Sequence, residues 1–590
     1  QWRPFNAKLG RTHWATYNAF LFDQSFLTKL NWQQWQEAVL HLQSTLLDDV
    51  IDNAFTEAWP EPFLSRDAPS IKATIKGRRD QLMAIAKDYY LFLAKNVDVL
   101  GTDQKDFFLI ERLNDQQTRV RVYELNKNRD KEGLFYDRIF RTEETQNIYC
   151  YGLGDDDIFE VRGAVGIGPR THLIGGEGKD QFDDQSITSL DGRQVFIYDF
   201  LTEDNELIHT NDSRDRRSKH PENNLYDRRS TAYQHNFNSV LPLLGFNPDD
   251  RLFLGFAGRY TRYGFQKTPF ASEHEYGGLV SASTGGLSAY YRGNFTHVIG
   301  QLGLQFAIKG QTPLYANNFY GLGNETINLE EEKGLDFHRI RKAEAAASLR
   351  LAWRPNQQTN LWIGPSLIHY DLEQTAGRFL DSFVNEVPQQ VVDDVNYLKL
   401  GAEFNYKNTN DVAFPTRGIG LFVDADYHVQ LDDDDFNFPS INAELQLYQQ
   451  IDNRGKLVFA TQLGVQHRFS DDFPFFLGAR LGGLGPDGNL RGFRRDRFTG
   501  RTAFYHNTDL RWKLGYWNNN AIPMALGLTA SFDYGKVSLE DIESDIIHYS
   551  YGGGVFFSPF DLVTVHVGSY KLPTADGDDL RWLVGGGFFF

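Results

Sequence analysis

Five arginines fall between residues 491 and 501, in the stretch Gly485–Arg501, among glycines and two phenylalanines. A guanidinium is planar and forks onto a carboxylate or a phosphate through paired charge-assisted hydrogen bonds. A loop this basic reads either as a solvated anion-binding patch or as a segment whose arginine is pinned to an acidic partner. In the second reading Arg491 makes the fork, Gly492 lets the backbone approach closely, and Phe493 fills space. A second constellation is a pair of glycine-acid turns, Gly152–Phe159 and Gly175–Phe182. The latter fits the pattern of calcium-binding parallel β-rolls. There, carbonyls and carboxylates of adjacent rungs share a Ca²⁺, a hard cation that takes six to eight oxygens. Asp157 and Asp180 are the candidate ligands, expected on neighbouring turns of one β-stack. Such a site needs consecutive rungs, and these turns lie about two dozen residues apart, so plain structural turns are the competing reading. Asp48, Asp49 and Asp52 fall on one predicted helix and read as its solvated face.

The elements that must carry these groups change character along the chain. Helical spacing of apolar residues predicts helices over 33–58 and 70–97, with Ser70 as N-cap of the second. The helical segment is assigned to 1–100 and a β-rich stack to 101–202. Residues 203–235 are polar and charged and read as a linker. From 236 to 590 the apolar period is two, in segments of roughly 10–13 residues, longer than the strands of soluble sandwiches. Segment starts near 250, 274, 286, 300, 337, 358, 396, 417, 440, 455, 474, 502, 521, 546, 561 and 579 give sixteen strands. Short turns such as 452–455 alternate with long acidic connections such as 373–394 and 432–435, as in outer-membrane barrels. The fold class is therefore mainly β: a 16-stranded antiparallel transmembrane β-barrel with a smaller α+β N-terminal soluble domain.

Composition agrees. The 590 residues include 53 glycines, 47 phenylalanines, 28 tyrosines, two methionines and one cysteine, which suits a large sheet with tight turns and aromatic girdles,. A formal charge of −18 argues against nucleic acid as a partner,. Cys150 is alone, so no intrachain disulfide forms,. No apolar run is long enough for a membrane-crossing helix. The mean hydropathy of −0.46 does not exclude a barrel, whose apolar residues are hidden in alternation,. The sequence begins Gln1-Trp2-Arg3 with no export signal, so it is expected to be a processed chain or a piece of a longer one,.

The Leu490-Arg491-Gly492-Phe493 core resembles the (Val/Leu)-Arg-Gly-(Tyr/Phe) signature of the BamA/TamA-like outer-membrane assembly and translocation proteins, also called bacterial surface antigens. Phe532-Asp533-Tyr534-Gly535 resembles that family's Phe-(x)-Asp-x-Gly motif, and Phe319–Asn324 a glycine-rich stretch of many relatives. The last strand carries Trp582, Phe588 and Phe590 on one face and resembles the C-terminal insertion signal of outer-membrane barrels. Gly585–Gly587 would weaken pairing there, as a lateral gate would need.

The resemblance implies a barrel whose arginine loop follows the eleventh strand, folds into the lumen and pairs Arg491 with Asp533 on the thirteenth. It implies a Gram-negative outer-membrane location with the N-terminal region periplasmic, and a role in protein insertion or translocation. The partners it implies are outer-membrane lipid and lipopolysaccharide, client outer-membrane proteins and periplasmic or surface accessory subunits. The N-terminal region shows no POTRA module and looks like fusions in Bacteroidota-type bacteria. The alternative is a membrane anchor or exporter for an attached phosphoesterase-like hydrolase upstream of Gln1. No phosphoesterase, G-x-S-x-G or kinase motif occurs in the chain, no catalytic residue is assigned, and no cofactor is expected beyond Ca²⁺ at the glycine-acid turns.

Overall fold

The computed structural model describes the chain except residues 1–4, 11, 17–18, 220–223, 227–235, 248–250, 266, 316, 357, 384–393, 433–435, 484–487, 519–521, 541–542, 562 and 573–579. At 13–14, 21, 245–247 and 268 it describes backbone only. The chain divides into two compact units, Gln1–Tyr233 and Gln234–Phe590.

In the first unit the two expected helices are four: Trp32–Thr45, Asp48–Ala58, Ala68–Asp80 and Leu82–Ala94. Asn31 caps the first through a reciprocal bond pair with Gln34,. Ser70 is not a cap. It lies inside its helix and its hydroxyl donates back to the Asp67 carbonyl. Pro69 suits the first turn, where amide donors have no partner, so the helix starts at Ala68,. Asp48 and Asp52 lie on the helix surface and meet Lys76 and Arg79.

The helical segment ends before residue 100, because Asn96–Leu100 is already a strand of the stack. Five parallel strands form one sheet: Asn96–Leu100, Asn147–Gly154, Arg170–Glu177, Val195–Tyr198 and Ser213–Asp215. A second sheet runs Glu206–Thr210, Gln181–Asp184, Ile158–Arg162, Asp106–Asn114, Gln117–Leu125 and Lys131–Arg141. The chain alternates between the sheets, rung upon rung, around a column of Phe108, Phe159 and Phe182 with ring centroids 4.6 and 5.1 Å apart. Rungs continue past 202. Part of the expected linker, 206–215, is the last of the stack. Its polarity misleads because Asp212 and Ser213 are buried in bonds with Thr188, Gln194 and Asp184.

The second unit is a closed antiparallel barrel with sixteen wall strands among the described residues, plus the two-residue segment Asn317–Asn318. The expected number is met, but by different strands. The segment expected from 474 is a 3-10 turn, Phe475–Leu477, and a short hairpin of Ala479–Leu481 with Phe498–Gly500, all inside a loop. Phe475 and Phe476 are apolar because they fill the lumen with Phe319, Tyr370 and Tyr397, not because they face lipid. The first wall strand, Phe237–Asn247, escaped the alternation test. Its centre, Val240-Leu241-Pro242-Leu243-Leu244, is apolar without period two, and proline belongs on an edge strand,. On the other strands alternation holds: Phe532 is exposed outward while Asp533, next to it, is buried on the lumen side,.

Candidate functional site

The connection between the eleventh wall strand, Leu457–Arg468, and the twelfth, Thr502–Trp517, folds back into the barrel. Its root is the hairpin at 479–500, and its tip carries Leu490, Arg491, Gly492 and Phe493, all buried. Arg491 donates from Nε and Nη2 to the two carboxylate oxygens of Asp533, at 2.6 and 2.5 Å, forming the planar fork,. Its Nη1 donates to Asp509 at 2.7 Å. Asp509 also accepts from Arg511 at 2.9 Å and from the Ser531 hydroxyl at 2.8 Å. Arg491, Asp509, Arg511 and Asp533 are each no more than 2% exposed. Two guanidinium and two carboxylate charges thus balance in a dry pocket. That balance is what makes burial of any one of them tolerable.

The glycines permit the approach. Gly492 has φ +88°, and a Cβ there would meet Leu572 at 2.9 Å. Gly535 of the wall faces the loop, where a Cβ would meet the Phe504 carbonyl at 2.6 Å and Leu481 at 3.2 Å. Leu490 and Phe493 pack with Phe498, Tyr505, Val537 and Leu572 in one cluster. Phe532, the neighbour of Asp533, points outward and takes no part. The other four arginines of the stretch have partners of their own, Arg495 facing the Tyr315 ring at 5.7 Å. Arg494 bonds Glu330, Arg497 bonds Thr326, and Arg501 pairs with Glu540 and Asp471. The solvated-patch reading fails for the described part of the loop; Gly485–Asp487 lie outside the described residues. The Phe319–Asn324 stretch joins it, since the Asn324 side chain bonds both backbone groups of Val537 on the thirteenth strand, Met524–Ser538.

Sequence reasoning missed Asp509 and Arg511. Period two was the available signal: Asn507, Asp509 and Arg511 alternate with Thr508 and Leu510, placing three polar groups on the lumen face,. It also misplaced the aromatic end. The last wall strand, Arg581–Gly586, carries Trp582 outward, 55% exposed, but stops before Phe588 and Phe590. Gly587 takes φ +85° and donates to the Thr564 carbonyl, which turns residues 588–590 off the strand. The ring of Phe588 then lies 4.1 Å from the Arg511 guanidinium carbon, and that of Phe589 4.8 Å from that of Arg491.

Among the described residues the seam is the most sparsely paired join in the wall. Among those residues the first and last wall strands share one residue pair, Phe246 opposite Val584. The first and second strands, by contrast, pair along their whole length from Phe237 to Asn247.

Asp157 and Asp180 belong to the other unit. Their 23-residue separation, which argued against adjacency, is one full rung: the Asp157 amide donates to Asp180 Oδ1 at 2.7 Å. The Asp106 amide donates likewise to Asp157, and the Asp180 amide to Asn205. Asp106 Oδ1 and one Oδ2 on each of Asp157, Asp180 and Asp199 have no donor among the described residues. Burial, and then the neighbouring Asp180, push the Asp157 carboxyl up to about 10. Burial first, with Asp180 second, raises Asp199 to about 8, and burial raises Asp180 to about 7. No group of three or more metal-ligating side chains arranged to hold an ion occurs among the described residues.

A sequence profile described as the Omp85 superfamily domain matches residues 281–587. No curated protein matches the chain. Among solved structures, BamA from Haemophilus ducreyi lacking POTRA domains 1-3 is similar at a TM-score of 0.46 and 14% identity, over 60% of this chain and 70% of that one. CdiB from Escherichia coli gives 0.39 and 12%, over 59% and 62%. CdiB from Acinetobacter baumannii gives 0.37 and 15%, over 60% and 59%.

Proposed function

This chain belongs to the Omp85 superfamily, and we propose that it inserts polypeptides into the outer membrane, or passes them across it, through the seam between its first and last wall strands. It is an outer-membrane barrel with its N-terminal region on the periplasmic side. The observation that carries the reading is the sparse pairing at the seam, one residue pair among the described residues. Backbone N–H and C=O groups facing hydrocarbon must be paired, so an edge this sparsely zipped is an invitation to another strand. Clients, on this reading, are outer-membrane proteins that present β-strands, with accessory subunits delivering them.

The lumen supports the same choice over simple diffusion. Its end at the long loops is filled by Phe319, Tyr370, Tyr397 and Phe475, and the arginine loop occupies the wall beside it. A seam can open while that packing stays whole, so polypeptide traffic need not pass along the blocked axis.

The test is a reversible lock. Cys150 is buried and is the chain's one cysteine, so Phe246→Cys with Val584→Cys creates a single reactive pair. Directly opposed residues in an antiparallel pair lie about 4.5–5.5 Å apart at Cα, within disulfide reach. In lipid vesicles, the oxidised variant loses client insertion and a reductant restores it. Full activity of the oxidised variant rejects the seam as the route.

A further inference from the structure

The segment 587–590 lies between the two halves of the site. Upstream it continues the last wall strand, Arg581–Gly586, one side of the seam. Downstream it meets both lumen arginines. Arg511 donates from Nη2 to the Phe590 carbonyl at 2.9 Å and faces the Phe588 and Phe590 rings at 4.1 and 5.0 Å. Arg491 faces the Phe589 and Phe590 rings at 4.8 and 6.0 Å. Phe588 also packs on Phe414 and Phe556, centroids 5.9 and 5.0 Å away. The last strand has a second tie to the loop, for Arg581 donates to the Gly492 carbonyl at 2.9 Å.

Three aromatic rings that would otherwise face lipid or water are thus seated on two desolvated guanidinium planes, where cation–π attraction is strongest. A lipid-facing continuation would leave the inward face of Arg511 without these partners. Gly587 makes the inward turn available at no steric cost, since its positive φ disfavours any other residue,.

From this arrangement we propose that residues 587–590 are a latch coupling the seam to the Arg491 loop. Seated, the aromatic segment anchors the end of the last wall strand inside the lumen, so the strand cannot swing outward. Withdrawn, it frees that strand and at the same moment uncovers Arg491 and Arg511. A strand entering the seam would therefore be sensed at the loop, and a change in the loop at the seam. The inference rests on the seam being the functional opening.

The experiment measures the seam itself. Spin labels at the outward positions Val240 and Trp582 report the distance between the first and last wall strands in the full chain in lipid vesicles. The intact protein gives one dominant short distance. Phe588→Leu/Phe589→Leu/Phe590→Leu keeps apolar bulk but removes the rings. It is expected to raise the long-distance population about tenfold, the effect of losing cation–π attraction of the desolvated kind. Deletion of 588–590 raises it at least as much. Unchanged distances in both variants, with the barrel folded by its heat-dependent gel mobility, overturn the latch. Should the deletion fail to fold, the leucine variant decides alone. The lock across Phe246 and Val584 separates the two ideas. If locking stops client insertion while the leucine variant leaves distances unchanged, the seam reading stands and the latch falls. If locking does not stop insertion, the seam reading falls whatever the labels show.

Discussion

The chain buries carboxylates in two places and neutralises them by opposite means. In the barrel, Asp509 and Asp533 meet Arg491 and Arg511, and every charge has a counter-charge within hydrogen-bond distance. In the N-terminal stack, Asp106, Asp157 and Asp180 follow one another rung by rung and accept amide N–H groups, and Asp199 adds a fourth carboxyl; burial outweighs those bonds and favours the proton. Arginine is a permanent cation whose fork fixes geometry. A carboxyl held by its proton brings no charge and needs no partner chain. The first device suits a loop that must be held at one place on a wall; the second suits a repeat whose rungs need only stack.

The difference is broken most severely at Arg491. Arg491→Ala leaves Asp533 buried beside no cation, while Asp509 keeps Arg511. Removing one partner of a buried pair costs about 3–5 kcal/mol. Protease cleavage at the loop arginines 494–497 should rise sharply in the assembled barrel, while the wall still forms. Arg491→Ala combined with Asp533→Ala should recover part of the loss, since no orphan charge remains, whereas Arg491→Lys should recover little because an ammonium cannot make the fork. Equal protection of the loop in Arg491→Ala and the parent would show that packing of Leu490 and Phe493 alone holds it.

The same substitution in both regions sharpens the contrast. Asp533→Asn replaces an anion that the fork requires, and should cost about 1.5–3 kcal/mol, the worth of hydrogen bonds to a charged group. Asp157→Asn replaces a protonated carboxyl by an amide of the same shape, with its carbonyl still able to accept from the Asp106 amide. Its cost at pH 7 should stay below about 1 kcal/mol. Denaturant titration of each variant checks both values, and a larger loss from Asp157→Asn than from Asp533→Asn would reverse the assignment.

How far this contrast could be read beforehand depends on what each pattern encodes. Alternation reports which face is wet, so it found the lipid-facing residues of most strands, whereas Asp533 came from the resemblance of Phe532–Gly535 to a family motif. It could not find the first wall strand, where Pro242 and a continuous apolar run mark an edge, nor tell Phe475 and Phe476, apolar against the lumen, from residues facing lipid. The stack was legible in its strand patterning from about residue 105 and in its glycine-acid turns. Its rung length was not recognised, although Gly101 and Asp106 repeat the spacing of Gly152 and Asp157 and of Gly175 and Asp180. Buried polar turns look like linker in any hydropathy reading, which is why 206–215 was assigned outside the stack. The final aromatics were misplaced because a sequence shows periodicity and not the φ of Gly587.

A weaker way to separate the regions is pH. Asp157, Asp180 and Asp199 have folded values raised to about 10, 7 and 8, above the ordinary carboxyl value of 3.8. Between the unfolded and the folded value the native stack binds more protons than the unfolded chain, so stability falls as pH rises. The loss should begin near pH 4, where all three carboxyls of the unfolded chain ionise together, and lessen above pH 7–8 when Asp180 and Asp199 are ionised in both states. Urea titrations monitored by a tryptophan of the first unit, from pH 4 to 9, read the slope. A stack that gains stability over that range would mean the carboxyls are ionised and held by something other than protons.

Calcium would be such a holder, and here the smallest effect is expected. A Ca²⁺ ion wants six to eight oxygens, and the column offers Oδ2 atoms of Asp157, Asp180 and Asp199 whose second oxygens are committed to, or lie beside, backbone amides,. To bind, the ion must displace protons from groups that hold them up to pH 7 or beyond,. It must also enter a column whose members are at most 1% exposed. Proton and cation therefore compete for the same oxygens, and at neutral pH the proton is ahead. Calorimetric titration of the full chain at pH 6 should give no heat at millimolar Ca²⁺. At pH 9, where Asp180 and Asp199 lose their protons, any binding should emerge, together with release of protons to the buffer. Asp180→Asn and Asp199→Asn should abolish that late heat. Binding already saturated at pH 6, and unchanged by either substitution, would place calcium elsewhere in the molecule and leave the column to its protons alone.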